Sequence, residues 1–492
     1  DGTADSAAAT VSITVAPVTD LEYVTIGNAG NPADPTSGHG AVSRAYKIGK
    51  YEVTHAQYAE FLNRKASDTD VHELYSPSAS DYGITVYGIT RSGIPGNYTY
   101  SVESGMENRP IVLVTWFNAA RFCNWLANGK GDGDTETGSY TLNGAMEGII
   151  NANPEAEVWI PTEDQWYKAA YYQGNGSYSI YPNGQSTMTA AEANCIDETG
   201  TYLEQTTEVG AYAASPSHYG AFDLGGNVAE WTDGFEFMFT SEETGVSVDI
   251  FGRVYRGGSL GYEYYYMESR VRELIPPIYP DNELGFRVAS MAELFSPTLT
   301  DPSAANITAR SSTLGGAVAD DGGDVITERG VVYALTATNA NPEIGGSGVI
   351  KVVTTGTIGA FTVEIAGLLD NTNYSFKAYA INAQGTSYTP VGTFDTLAYT
   401  PIETWRNQYF GSTANTGAGA DSASAGDGIV NLLKYALGIV PGENAAGGLP
   451  KAKLVNNDSN RYLALTFKRD PARNDVTIVV QAGSDLSGWT EI

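Results

Sequence analysis

With 492 residues the chain exceeds what one ordinary domain needs, and at roughly 100–200 residues per domain about three domains are expected. Its 57 acidic residues against 27 basic ones give a formal net charge of −30, which repels nucleic acid and anionic lipid and leaves divalent cations and neutral or cationic partners open. Two cysteines, Cys123 and Cys195, exclude a disulfide framework and a Cys-rich zinc module, and the histidines at 39, 55, 72 and 218 stand in no close ligand spacing.

No apolar run reaches the roughly 18 residues that a membrane-spanning helix requires, so no membrane span is expected. The chain opens on D-G-T-A-D-S-A-A-A-T-V-S-I-T-V without a signal peptide. Val11, Ile13 and Val15 alternate there as a strand, so residues 1–18 read as the last strand of a preceding β domain, in a piece trimmed from a longer exported protein. Abundant Gly, Thr, Ser, Tyr and Asn with 17% charged residues suits an extracellular or cell-surface bacterial protein.

Residues 19–44 carry no helical period and lead into the main domain. At 49–65, Thr54 reads as the N-cap of a short amphipathic helix burying Tyr58, Phe61 and Leu62, with His55 solvated in its first turn. Residues 66–108 form a long Tyr-rich surface excursion with room for short hairpins. R-P-I-V-L-V-T-W-F-N-A-A-R-F-C-N-W-L at 109–126 predicts a short apolar strand, then a helix capped by Thr115 that buries Trp116, Ala119, Ala120 and Cys123, whose thiol is expected to be inert. At 158–172, Thr162 caps another helix and Gln165 completes a capping box, with Trp166, Ala169 and Ala170 facing inward. So many indoles point to an aromatic core holding irregular structure.

Three Gly-punctuated blocks follow: Y-G-A-F-D-L-G-G-N-V-A-E-W at 219–231, R-V-Y-R-G-G-S at 253–259 and L-G-F-R-V-A-S at 284–290. Together with E-V-T-H-A-Q-Y-A-E-F, R-P-I-V-L-V-T-W-F-N-A-A and W-I-P-T-E-D-Q-W-Y-K-A-A, they resemble in order and spacing the formylglycine-generating enzyme or sulfatase-modifying-factor family over about 21–292. The resemblance implies a C-type-lectin-like α+β fold with much irregular structure, often braced by calcium. It also implies an oxidase that holds copper with two cysteines after R-G-G-S. Tyr262 and Met267 stand at those two positions, and a phenol with a thioether does not replace two thiolates. Ala229 replaces a usual indole. Ser259 matches the family's active-site serine and reads as structural, with no base or metal expected beside it.

For calcium, the resemblance implies a first site at Asp223 and Glu230 by side chain with the carbonyls of Gly226 and Val228. It implies a second site at the Asn194 side chain with the carbonyls of Cys195, Gly210 and Tyr212, where Gly210 replaces a carboxylate. Two carboxylates with carbonyl oxygens suit a hard cation of that size, in a structural role; the alternative is that these side chains bond only loop backbone. The Tyr-rich stretch G-Y-E-Y-Y-Y-M-E-S-R at 261–270 reads as a binding surface formed by Tyr262, Glu263, Tyr264, Tyr265, Tyr266, Glu268 and Arg270, or else as structural tyrosines filling the old pocket.

Residues 297–397 alternate with period two in L-T-A-T, R-G-V-V-Y, G-A-F-T-V-E-I-A-G-L and T-N-Y-S-F-K-A-Y-A-I-N, an all-β sandwich signal. Tyr374 and Gly385 are similar to marks of fibronectin type III modules, which are usually spacers. Residues 398–492 read as a small, incomplete β-rich module. Its D-S-A-S-A-G-D-G-I-V-N-L-L-K-Y-A-L-G resembles a calcium loop followed by a helix that Gly438 stops, with only Asp421, Asp427 and Asn431 as oxygen donors, and strands are expected at 461–467 and 475–481. The domains expected are therefore 1–18, 19–294, 297–397 and 398–492. The leading expectation is a multi-domain, non-catalytic surface protein that displays 261–283 to a protein or glycan ligand; the alternatives are a structural subunit of an extracellular filament or matrix, which would self-assemble, and a divergent metal-dependent oxidase.

Overall fold

The computed structural model describes residues 20–76, 87–197, 199–243, 246–424, 426–442, 445–457, 460–482 and 490–491. The strand expected at 8–15 lies outside them. The chain divides into two compact units: one runs to Thr298 and takes in Ala319–Thr327 and Ile381–Ser387, and the other holds Leu299–Val318, Glu328–Ala380 and the chain from Tyr388 on.

Among its described residues the first unit mixes strands of two to fifteen residues with three α-helices. Strands β1 (Tyr23–Ile26), β2 (Tyr46–Gly49), β5 (Val158–Trp159) and β10 (Ala289–Met291) form an antiparallel sheet in the order β1-β2-β10-β5. Helix α1 (His55–Lys65) carries a capping box of Thr54 and Gln57, α2 (Trp116–Ala127) is capped by Thr115, and α3 (Glu163–Tyr171) has the expected Thr162–Gln165 box. Each cap satisfies amide groups that a helix start leaves unpaired. Strands β3 (Ile89–Ile94) and β4 (Asn97–Val102) make a hairpin within the Tyr-rich excursion. Rings of Tyr58, Phe61, Phe122, Trp125 and Phe286 meet edge-on, stacked or tilted at 5.4–6.5 Å between centroids, and Cys123 is fully buried against this core, as expected of an inert thiol.

Two expectations fail here. Residues 109–114 form no strand beyond a single bridge at Pro110, because Leu113 takes a left-handed backbone (φ 59°) that breaks the extended run. His55 is buried rather than solvated: its Nδ1 meets the Arg109 carbonyl at 3.0 Å and its Nε2 accepts from the Gly88 amide at 3.1 Å, so it staples α1 to the excursion.

A second sheet of the first unit runs β8 (Glu273–Ile275), β7 (Val246–Arg256), β6 (Ala229–Glu243), β9 (Leu284–Gly285), with β9 parallel to the start of β6 and the other pairs antiparallel. Gly257 and Gly258 follow β7 with φ of 101° and 64°; a Cβ at 258 would meet Tyr266 at 3.2 Å, so only glycine turns the chain there into Ser259 and the one-turn 3₁₀ helix Tyr264–Met267.

In the second unit β11 (Thr298–Ala305), β12 (Ser311–Asp320) and β15 (Gly359–Ala366) form one sheet. Another sheet has β14 (Ile350–Thr354), β13 (Glu328–Leu335) and β16 (Asn373–Asn382), with β17 (Gly385–Tyr388) and β18 (Gly392–Asp395) both pairing with β16. The L-T-A-T stretch ends β13 at Leu335 and then turns. Helix α4 (Pro401–Phe410), not expected, is announced by a Thr400–Glu403 capping box with Pro401 at its first position. Helix α5 (Asn431–Leu437) stops at Gly438 as expected. Hairpin β19 (Lys451–Asn457)–β20 (Asn460–Thr466) replaces the single expected strand, and 475–481 contributes only the start of β21 (Gln481–Ala482), paired with β22 (Thr490–Glu491). The calcium-like loop meets protein cations: Lys434 Nζ lies 2.9 Å from Asp427, and Arg406 lies 2.6 Å from Asp421.

Lys168 in α3 is fully buried and donates to the Asn28 carbonyl at 2.9 Å; burial pushes its ammonium down to about 8 against the pull of Asp321. Between that value and the ordinary lysine value the unfolded chain holds the extra proton, so stability rises with pH through this window, by up to about 3 kcal/mol. Buried tyrosines such as Tyr58, Tyr140 and Tyr171 and the Cys123 thiol, all raised by burial, pull stability down over the same window in any variant, so the readout is a difference: from pH 8 to 10.5 denaturant unfolding is expected to show the wild type gaining about this much relative to Lys168→Met, and a constant difference would contradict it.

Candidate functional site

The pairing of β6 with both β7 and β9 brings two loop residues together. Ser259, after the glycine turn, is fully buried and donates through Oγ to Glu283 Oε2, just before β9. The backbone holds Glu283 in place: its amide donates to Asp281 Oδ1 at 2.8 Å and its carbonyl accepts from Ala229 at 2.8 Å. Gly261 leaves room for the carboxylate, since a Cβ there would sit 2.4 Å from Glu283 Oε1. The expectation that Ser259 has no base beside it is thus corrected. A carboxylate occupies that place, and no ion pair is formed by Glu283 among the described residues.

Next to this pair stand Tyr262, Tyr255 and Glu273, close enough for their charges to act on one another. Burial, with the charges of Glu273, Glu283 and Asp281, raises the Tyr262 hydroxyl, which therefore stays protonated; burial likewise raises the Glu273 carboxyl. Tyr262 packs on Tyr266 with ring centroids 4.5 Å apart, and Tyr265 lies 4.9 Å from Tyr266 and 6.0 Å from Tyr264. The Tyr265 hydroxyl donates to Glu263 at 3.0 Å, while Glu268 accepts from Tyr181 at 3.0 Å and pairs with Arg270. The sequence-predicted tyrosines thus stack mostly on one another. The copper position does not fit: Met267 is fully buried in an apolar cluster with Tyr181, Met188, Ala193 and Cys195, whereas the Tyr262 hydroxyl faces Tyr255 and carboxylates.

At the calcium positions, Glu230 is fully buried and both its oxygens meet Arg287 at 2.5 Å, with Trp166 Nε1 at 2.7 Å from Oε2. Asp223 accepts from the Gly210 amide at 2.5 Å. Burial pushes its carboxyl up to about 6, and burial together with the nearby charge of Asp223 raises that of Glu52 as well. Glu52 Oε2 and Asn194 Oδ1 are buried without a hydrogen-bond partner, while Asn194 Nδ2 donates to Gln205 and Asn227. Leftover acceptors beside two close carboxyls are what a cation or a shared proton would satisfy. Among the described residues no three His, Cys, Asp or Glu side chains converge as a ready metal cluster.

Glu283, Glu52 and Arg287 escaped sequence reasoning. Each lies within a recognised block or one residue from it, but charge and spacing alone do not reveal which loop a carboxylate will face.

The description "Sulfatase-modifying factor enzyme 1-like domain" matches residues 17–292. The serine/threonine-protein kinase pkn1 of Chlamydia caviae is 26% identical over 216 residues, 42% of this chain and 27% of its own length, so the chain spans under a third of that relative. The formylglycine-generating enzyme of Streptomyces coelicolor is 25% identical over 301 residues, 54% of this chain and 85% of that enzyme. The hercynine oxygenase of Mycolicibacterium smegmatis is 25% identical over 193 residues, 38% of this chain and 37% of that enzyme. Relatives named for catalysis overturn the reading of this chain as a non-enzyme that merely displays 261–283. With the match spanning more than half of its length, the chain belongs to the sulfatase-modifying factor enzyme 1-like domain family.

Proposed function

We propose that the chain is a divergent enzyme of this family, of the oxidase type, in which Glu283 takes a proton from the substrate and Ser259 positions it. The hydrogen bond from the fully buried Ser259 to Glu283, beside a glycine that keeps the carboxylate accessible, carries the reading. Two-electron oxidation of an H–C–X–H unit breaks one C–H and one X–H bond and forms the C=X bond, releasing two protons and two electrons. The fixed carboxylate of Glu283 takes the C–H proton, and dioxygen, implied by the name of the hercynine oxygenase relative, takes both electrons and, with the two protons, leaves as hydrogen peroxide. The protonated Tyr262, with Tyr255 and Glu273 beside it, can donate a hydrogen bond to charge developing nearby. No step runs through copper.

Dioxygen uptake with a cysteine-bearing peptide and with hercynine as alternative probes tests this. Glu283→Gln is expected to lower turnover by about a hundredfold or more with an unchanged melting temperature, the usual scale for losing a general base. Ser259→Ala, which frees the carboxylate, should cost about tenfold. Uptake that persists in Glu283→Gln, or none with either probe, contradicts the proposal.

A structural calcium ion at the second set, Asn194 with the carbonyls of Cys195, Gly210 and Tyr212, is supported by the unpartnered Asn194 Oδ1 and by the crowded Asp223 and Glu52 carboxyls. The first set is weaker, since Arg287 and Trp166 already occupy Glu230. Chelation should lower the melting temperature by several degrees, calcium should restore it, and Asn194→Ala should abolish the response; equal melting in chelator and calcium would sink this assignment. The 297–397 segment is read as a fibronectin type III-like spacer, supported by the Leu369 amide donating to the Tyr374 hydroxyl at 2.9 Å, and an exported location is supported by composition alone. Among the described residues no helix is long and apolar enough to cross a membrane.

A further inference from the structure

A cavity of about 710 Å³ opens in the first unit, lined on its apolar side by Leu113, Phe117, Ile278 and Pro280. That size suits a small organic ligand. Arg91, on β3, reaches it with its guanidinium held 4.9 Å from the Tyr75 ring centroid and 4.6 Å from that of Tyr98, and no carboxylate lies within ion-pair distance of it among the described residues. In a chain of net charge −30, a stacked arginine without an acidic partner is a positive point kept for something else. Three acids share the lining, Asp70, Glu73 and Glu147, and none has an ion-pair partner among the described residues; the Asp70 carboxylate already accepts from the Leu74 and Tyr75 amides at 2.7 and 3.0 Å.

The walls are built at a cost. Leu113 and Glu73 both hold left-handed backbones, φ 59° and 51°, a conformation costing a side chain of Leu type roughly 1–3 kcal/mol. Their neighbours fix them: the Leu113 amide donates to the Asp281 carbonyl at 2.9 Å, and Asn118 Nδ2 donates to the Glu73 carbonyl at 2.8 Å. Asn118 itself is buried, and its Oδ1 has no hydrogen-bond partner.

We infer that this cavity binds a small zwitterion with an apolar body, an amino acid or short peptide whose carboxylate meets Arg91, whose ammonium meets Glu73 or Glu147, and whose side chain lies on Leu113, Phe117 and Ile278. A bidentate guanidinium matches a carboxylate, and Glu73 and Glu147, the lining acids whose carboxylates are not already taken by backbone amides as that of Asp70 is, supply the opposite charge that an ammonium needs. The inference does not depend on the chemistry proposed for Glu283, although the segment from Ile278 to Glu283 borders the cavity at one end and reaches Ser259 at the other.

Calorimetric titration of the full chain with L-phenylalanine, L-phenylalaninamide and N-acetyl-L-phenylalanine tests it. The free amino acid is expected to bind, and each analogue, lacking one charge, to bind about tenfold or more weakly. Arg91→Gln should weaken L-phenylalanine by a similar factor, with Arg91→Lys intermediate. Glu147→Gln, at an exposed residue whose loss leaves folding intact, should weaken it while sparing L-phenylalanine's carboxylate contact. Absence of L-phenylalanine binding, an analogue that binds as tightly as the parent, or wild-type affinity in both Arg91→Gln and Glu147→Gln would overturn the inference.

Discussion

The buried bridge between Arg287 and Glu230 holds the first unit in register. Both side chains are fully buried, and the guanidinium gives two further donors to the Gly49 and Phe222 carbonyls, each at 2.9 Å, while Trp166 of α3 donates to the carboxylate. One pair thereby ties β2, the loop at 222, α3, the start of β6 and the chain just beyond β9. A buried pair stripped of water repays its desolvation only when every donor and acceptor is used, and this one comes close to that limit.

A second cationic knot lies at the root of the β6–β7 hairpin. Glu163, at the start of α3, receives Arg256 at 2.6–2.9 Å and Arg272 at 2.8 Å, and these guanidinia hold its carboxyl below the usual range although burial pulls the other way. Arg256 ends β7, two glycines before Ser259, so the geometry of the Ser259–Glu283 pair inherits the rigidity of both ion networks. The site is therefore set by loops that have little regular pairing of their own but are anchored at each end by charge.

Much of the fold was legible in the sequence because its signals were local. Thr54, Thr115 and Thr162 marked the helix starts, Gly438 a helix end, and the glycine blocks the turns. What could not be read depended on tertiary partners: Leu113 leaves the extended region because its amide is claimed by Asp281, His55 is buried by Gly88 and Arg109, and Glu283 becomes important only where β9 meets β6. The site was legible in part. Ser259 and Tyr262 stood in recognised blocks, but the carboxylate that accepts from Ser259 is 24 residues away in the chain. The absence of the copper cysteines was no ground for a non-catalytic reading, since relatives of this chain are named as enzymes.

The dependence of the first unit on its buried bridge is most directly tested by equilibrium unfolding of Arg287→Met. Removing the cation leaves Glu230 charged, buried and unpaired, and the account predicts a loss of ~3–5 kcal/mol from the transition of that unit. A loss below about 1 kcal/mol, on the scale of a surface ion pair, would contradict it.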